Sequence, residues 1–222
     1  MVRGNRLKKR RLLILACACV MISGCTTSNE NTNTQTSGSP AALSSQVSDP
    51  SIADMTNEDL DVTYNGIILN DQIPFEELTS KLHLSMEENN ESITTRVAGE
   101  AKGKDYAWYQ VSYPNKENTD FIFDYLYNAT DKSGRIVSIK LIKVPTKRGI
   151  SIGDSLEKTK EAYGKNLVSE PETETTNSLA FLVENKGISF TYDKKTEKMV
   201  DIFIDYDSNK AMDEMDIPSL ED

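Results

Sequence analysis

The sequence predicts an α+β fold in which two tandem repeats, each a short helix followed by an antiparallel β-sheet, share one core. Three observations carry this. The first is the run Lys147-Arg148-Gly149-Ile150-Ser151-Ile152-Gly153-Asp154-Ser155-Leu156-Glu157-Lys158-Thr159-Lys160-Glu161-Ala162-Tyr163-Gly164, which reads as a strand, a helix cap, a short helix and a stop. Asp154 is placed to accept a hydrogen bond from the free amides of the first turn and Glu157 to reach back, as in a capping box. Leu156, Thr159, Ala162 and Tyr163 share one helical face, and Gly164 supplies a left-handed stop. The second observation is a weaker upstream copy, Asn65 to Leu78, in which Gly66, Ile67, Leu69 and Asp71 align with Gly149, Ile150, Ile152 and Asp154. The third is a pair of matching hairpins. Tyr125-Leu126-Tyr127, a turn and Ile136-Val137-Ser138-Ile139 correspond to Phe190-Thr191-Tyr192, a turn and Met199-Val200-Asp201-Ile202. Repeats of this kind stack to bury a common core.

In chain order, residues 1–24 read as a leader. Arg3, Arg6, Lys8, Lys9, Arg10 and Arg11 precede an apolar run from Leu12 to Ile22, too short for the roughly 18 residues that a membrane span requires. Ile22-Ser23-Gly24-Cys25 resembles the lipobox of bacterial lipoproteins, which implies cleavage before Cys25 and lipid modification of that cysteine. The alternative is an ordinary secretory signal cut elsewhere. Cys17 and Cys19 lie in the leader either way, so the mature chain keeps Cys25 alone and forms no internal disulfide or cysteine-rich metal site. Loss of residues 1–24 removes six basic residues and no acidic ones, taking the net charge from −10 to −16. That balance disfavours nucleic acid and anionic lipid head groups as partners. The membrane link is expected through the acyl chains.

Residues 25–57 are rich in Ser, Thr, Asn and Gln and lack periodic apolar positions, so they are expected to be a disordered tether with a reach of roughly 30 Å. The first repeat is assigned to 58–145, with a helix from about Gln72 to Leu82 that admits Pro74 in its first turn. Its strands are expected near Ser92–Glu100, Lys104–Tyr113, Phe121–Asn128 and Ile136–Val144. The second repeat, 146–207, continues through an acidic loop from Ser169 to Thr176 to strands near Ser178–Glu184, Gly187–Tyr192 and Met199–Tyr206. Residues 208–222 read as an acidic flexible tail.

A small helix after a Gly-Asp turn, an antiparallel sheet, and the same plan twice behind a lipobox resemble the β-lactamase-inhibitory-protein-like group and the small outer-membrane assembly lipoproteins. Gly149-Ile150-Ser151-Ile152-Gly153-Asp154 with Tyr163-Gly164 carries most of the resemblance, which covers about residues 62–207. It implies a module that binds another protein through a sheet face or loops, with no catalytic residues to transfer. The weak first copy and the absence of the inhibitors' cysteine pairs are departures from the pattern.

The sequence offers little catalytic chemistry. His83 is the only histidine, at the end of the first helix, and no Gly-x-Ser-x-Gly elbow occurs. With 35 acidic residues, close carboxylate pairs arise by chance. Asp205, Asp207, Asn209, Asp213 and Asp216 fit positions of a calcium-loop template, but Lys210 stands where the loop needs glycine and Asp216 where it needs a bidentate glutamate. No metal or cofactor is expected.

Strand alternation assigns the faces. Val137, Ile139 and Leu141 match Val200, Ile202 and Ile204 as the helix-facing core, with Tyr125, Tyr127, Phe190 and Tyr192. The outward set is then Ile122, Leu126, Ile136, Ile142 and Phe203, joined by Tyr106 and Trp108, or else by Tyr109. Large apolar residues on a solvated face are either a partner site or covered by another part of the chain. Trp108, Ile122, Leu126, Ile142 and Phe203 are the candidate binding residues. The expectation is a non-enzymatic, lipid-anchored binding module on the extracytoplasmic face of the cell membrane, with a protein or envelope component as partner. A self-associating structural lipoprotein and a carboxylate-dependent hydrolase are the alternatives.

Overall fold

The computed structural model describes residues 54–85, 90–164, 167–169 and 173–215, all within one compact unit, Ser48–Asp222. The expected leader, Cys25, most of the tether and Asp216 lie outside the described residues. A 3-10 turn, Asn57–Leu60, opens the described chain and leads into the hairpin β1 (Val62–Tyr64) and β2 (Ile67–Leu69). Helix α1 (Phe75–Lys81) precedes a four-stranded meander of β3 (Ile93–Ala101), β4 (Lys104–Tyr113), β5 (Phe121–Asn128) and β6 (Ser133–Leu141). Helix α2 (Leu156–Tyr163) precedes a second meander of β7 (Leu167–Ser169), β8 (Thr176–Val183), β9 (Lys186–Asp193) and β10 (Met199–Asp205), and α3 (Ser208–Glu214) follows.

The two meanders meet through their last strands, giving one eight-stranded antiparallel sheet in the order β3-β4-β5-β6-β10-β9-β8-β7. At the seam Ile202 pairs with Leu141, Phe203 with Lys140, Ile204 with Ile139 and Asp205 with Ser138. One face of the sheet is roofed by α1, α2 and the N-terminal segment. Under that roof Phe121, Phe123, Tyr125, Ile139, Leu141, Phe181, Phe190, Ile202 and Ile204 form a continuous core with Leu60, Leu78, Leu82 and Tyr163. Tyr163 packs 4.9 Å from Phe190 and 5.2 Å from Phe181, and Phe75 of α1 lies 4.5 Å from Tyr127.

Two bulges change the face assignment. Between Asp124 and Tyr125 the register with β6 slips so that Val137 has no partner, and between Met199 and Asp201 the same happens at Val200. An unpaired extra residue reverses the alternation on one side of it. Ile136, expected outward, is therefore wholly buried in the main core. Val137, expected to face the helices, is buried on the opposite face, and Val200 is exposed. Tyr109 packs against the roofed core and Trp108 lies on the other face, which settles the choice between them.

The helix caps also differ from expectation by one residue. Ser155, not Asp154, is the N-cap of α2, its hydroxyl accepting from the Lys158 amide at 3.3 Å. Asp154 instead accepts from the Ser151 amide and from Lys158 Nζ, each at 2.8 Å, and these bonds close the turn before the helix. Lys158 foremost holds the Asp154 carboxyl below its ordinary range. The run before that turn, expected as a strand, forms no strand, whereas its upstream counterpart supplies β2. Pro74 is the N-cap of α1, just outside the helix. The supposed flexible tail begins as α3, because Asp207 caps it by accepting from the Lys210 amide and Ala211 is fully buried.

Arg148 pins the roof. Its Nε and Nη2 grip the two carboxylate oxygens of Asp59 at 2.8 and 2.7 Å, its Nη1 donates to the Ala162 carbonyl, and its guanidinium lies 5.1 Å above the Tyr163 ring. Burial pushes the Asp59 carboxyl up, but the Arg148 and Thr56 hydrogen bonds outweigh it and hold the group below its ordinary value.

Two stability predictions follow from these contacts, both checked by denaturant melts. Ser155→Ala should cost about 0.5 to 2 kcal/mol, with Ser155→Asp restoring most of it. Arg148→Met should cost about 1.5 to 3 kcal/mol by stranding Asp59. Because the folded Asp59 value is depressed, its contribution is present above the unfolded carboxylate range and lost as pH falls through the folded value. Arg148→Met should therefore be penalised most near neutrality and least in strong acid.

Candidate functional site

The unroofed face of the sheet is the candidate site, and its residues follow from the registers. Across the strands, one row runs Ser112, Ile122, Lys140, Phe203, Ser189 and Ala180, and the next runs Thr94, Gln110, Asp124, Ser138, Asp205 and Gly187. A third row holds Val97, Trp108, Leu126 and Arg135. Opposed residues in an antiparallel sheet project to the same side, so each row is a line of neighbours.

The five candidate residues divide into two groups. Trp108 and Leu126 are on this face as expected, but they are buried beneath α3, where they pack with Val137, Ala211 and Met215. Phe203 is 37 % exposed at the centre of the sheet, while Ile122 and Ile142 are half-buried. Lys140 lies beside Phe203 and pairs with Asp201 at 2.9 Å. Leu182, opposite Gly187, is exposed, as is Val200 at its bulge.

Between the covered and uncovered parts lies a polar cluster. Asp124, largely buried, accepts from Ser138 Oγ at 3.0 Å and from Gln110 Nε2 and Arg96 Nη1, each at 3.3 Å. Arg96 is the extra residue at the bulge between Thr95 and Val97, which turns it toward Asp124. Burial raises the Asp205 carboxyl above its ordinary range against the opposing pull of Ser208, whose amide and hydroxyl it accepts at 2.9 and 3.1 Å. Asp205 and Asp207 are thus engaged in starting α3, the role that the calcium-template spacing had obscured.

Two shallow cavities flank these elements. One, of about 320 Å³, is lined by Lys104, Tyr106, Asn128, Arg135 and Glu214 at the margin of α3. The other, about 340 Å³, lies at the N-terminal segment between Glu58, Asp61, Asp71 and Lys186, and Lys186 pairs with Asp71 at 2.7 Å. Among the described residues no three His, Cys, Asp or Glu side chains are grouped to hold a metal ion, and no helix is long and apolar enough to cross a membrane. His83 is exposed, just past the end of α1.

The face therefore presents a central aromatic with a neighbouring lysine, aliphatic flanks and hydroxyl-bearing strands. Sequence reasoning missed α3 and the Asp124 cluster. The four-residue spacing of Ala211 and Met215 behind Asp207 was the available signal for α3. The chain matches no protein-family model, no curated protein and no solved structure.

Proposed function

We propose that this chain is a lipid-anchored, extracytoplasmic binding protein, built from two tandem α+β repeats on a shared core. Its partner, a protein or envelope component, would be engaged through the unroofed face of the sheet. The observation that carries the binding role is the exposed Phe203 at the centre of that face, beside Lys140, with Ile122 on the next strand of the same row. Aromatic side chains near the middle of a contact surface are the usual anchors of protein recognition. The repeat reading is supported by the equivalent bulges at Val137 and Val200 and by the reciprocal seam, which pairs Ile139 with Ile204 and Leu141 with Ile202. The anchor rests on Ile22-Ser23-Gly24-Cys25.

A second reading, self-association, is favoured by the β3 edge. Nine residues long and mostly exposed, that strand pairs on one side only among the described residues and carries just Arg96 and Glu100 as charges. Such edges are templates for strand addition.

Cys25→Ala should release the protein from the membrane fraction, and mass spectrometry of the wild-type N-terminus should find an acylated Cys25; an unmodified Cys25 with cleavage elsewhere refutes the anchor. Phe203→Ala should leave stability within about 0.5 kcal/mol of wild type while weakening partner capture from the native envelope by about 1 kcal/mol or more. Unchanged capture removes Phe203 from the site. A mass that doubles with concentration in light scattering, with no heterologous partner captured, favours the second reading.

A further inference from the structure

Helix α3 covers its part of the unroofed face with few attachments. Ala211 and Met215, four residues apart, seat on Trp108, Leu126 and Val137 in a cluster separate from the roofed core. Glu214 pairs with Arg135 Nη1 at 2.9 Å, and Lys102 Nζ donates to the Asp213 carbonyl. With seven residues, α3 is too short to persist as a helix without that surface. The chain enters it through Asp207 at φ 69°, a left-handed conformation that costs a non-glycine residue energy. Trp108 Nε1 and Arg135 Nη2 have no hydrogen-bond partner among the described residues. Buried donors are ordinarily satisfied, so each weakens the packing of α3 relative to an occupant that supplies an acceptor.

We propose that α3 is a detachable cover, and that the Trp108–Leu126–Val137 surface with Arg135 at its margin is a docking site for a partner segment of α3's own kind. That segment is a short acidic amphipathic helix with a small residue, a long aliphatic residue four positions later and a carboxylate beside it. The fit is read directly from α3, whose Ala211, Met215 and Glu214 fill those three roles. A partner displaces α3 by making the hydrogen bonds that α3 leaves unmade. A carboxylate offering both oxygens engages both Arg135 terminal nitrogens, where Glu214 reaches one. The surface adjoins the Phe203 half of the same face, but the inference depends on neither Phe203 nor the anchor.

Trp108 is the only tryptophan, so its emission reports the cover directly. In the wild-type full-length chain, amide exchange in α3 should be about 100-fold faster than at the centres of β5 and β6. Equal protection overturns the detachable cover. Ala211→Glu should unseat α3 and move Trp108 emission to longer wavelength while the cooperative melt is kept. A synthetic peptide of residues 207–215 should then reverse the shift saturably, and the same peptide with its methionine at 215 replaced by glutamate should not. A chain that melts normally yet ignores the first peptide overturns the docking site. Should Ala211→Glu lose its melt, Glu214→Lys at the partly exposed rim gives the same two readings. A peptide-sensitive dimer of the wild-type chain would overturn a heterologous partner in favour of exchange of α3 between copies.

Discussion

The pairing of β6 with β10 makes this a single sheet, and the rest of the architecture depends on it. Among the described residues no other strand of one meander pairs with a strand of the other. On the roofed side the seam brings together Ile139, Leu141, Ile202 and Ile204, all at most 1 % exposed, so the strand contact and the hydrophobic core reinforce each other. Without it each meander would present an apolar strand edge to water, the arrangement that sheets avoid by covering or closing their edges. On the other side the same seam sets Phe203 between Lys140 and Ser189. Its neighbours across the strands are a lysine drawn toward Asp201 and a small hydroxyl residue, and neither covers the ring. The exposure of Phe203 is thus a consequence of the register that buries Ile202 and Ile204.

An apolar sheet face of this width needs a roof, and the two helices packed on it have only seven and eight residues. The N-terminal segment completes the cover, which makes its attachment to α2 a structural requirement. Arg148 supplies that attachment from a single position by gripping Asp59, bonding to Ala162 and lying over Tyr163. An arginine suits this site better than a lysine because its planar fork meets both carboxylate oxygens while its face stacks on an aromatic ring. Tyr206 adds a second tie, its hydroxyl donating to the Leu60 carbonyl at 2.5 Å from the strand side. Burial pushes the Tyr163 phenol up to about 12 and raises the Tyr206 phenol well above its ordinary value, so both stay neutral inside the core at physiological pH.

Much of this was legible because strand signals are local. β4 and β5 have the bounds read from their aromatic and β-branched runs, and β10 starts at Met199 as expected. What escaped depended on single residues whose effect is decided elsewhere. A bulge is an extra residue in one strand measured against its neighbour, so Val137 and Val200 look like ordinary members of an alternating run until the register is known. The cap at Ser155 was read one residue early because Asp154 and Ser155 are both good caps, and only the path of the turn chooses between them. Strand β7 has three residues, below the length at which alternation is informative. The acidic composition after Asp207 concealed α3, since Asp213 is exposed and Glu214 sits half-buried at the rim against Arg135 while Ala211 and Met215 do the packing.

The unroofed face is divided by how well its buried polar groups are satisfied. Around Asp124 a buried carboxylate receives three donors from three different strands, and a network of that kind favours one arrangement of those strands. Under α3 the balance is reversed, with an indole and a guanidinium nitrogen buried without acceptors among the described residues. The difference is one of position in the chain. The Asp124 cluster is built between strands that the core fixes, whereas α3 lies outside the main core and follows Tyr206, whose hydroxyl ties the end of the last strand to the roof. An element that contributes nothing to the main core can be exchanged without disturbing it. The sheet can therefore keep one face permanently sealed while the other changes its cover, and the Asp124 network marks the boundary at which that change stops.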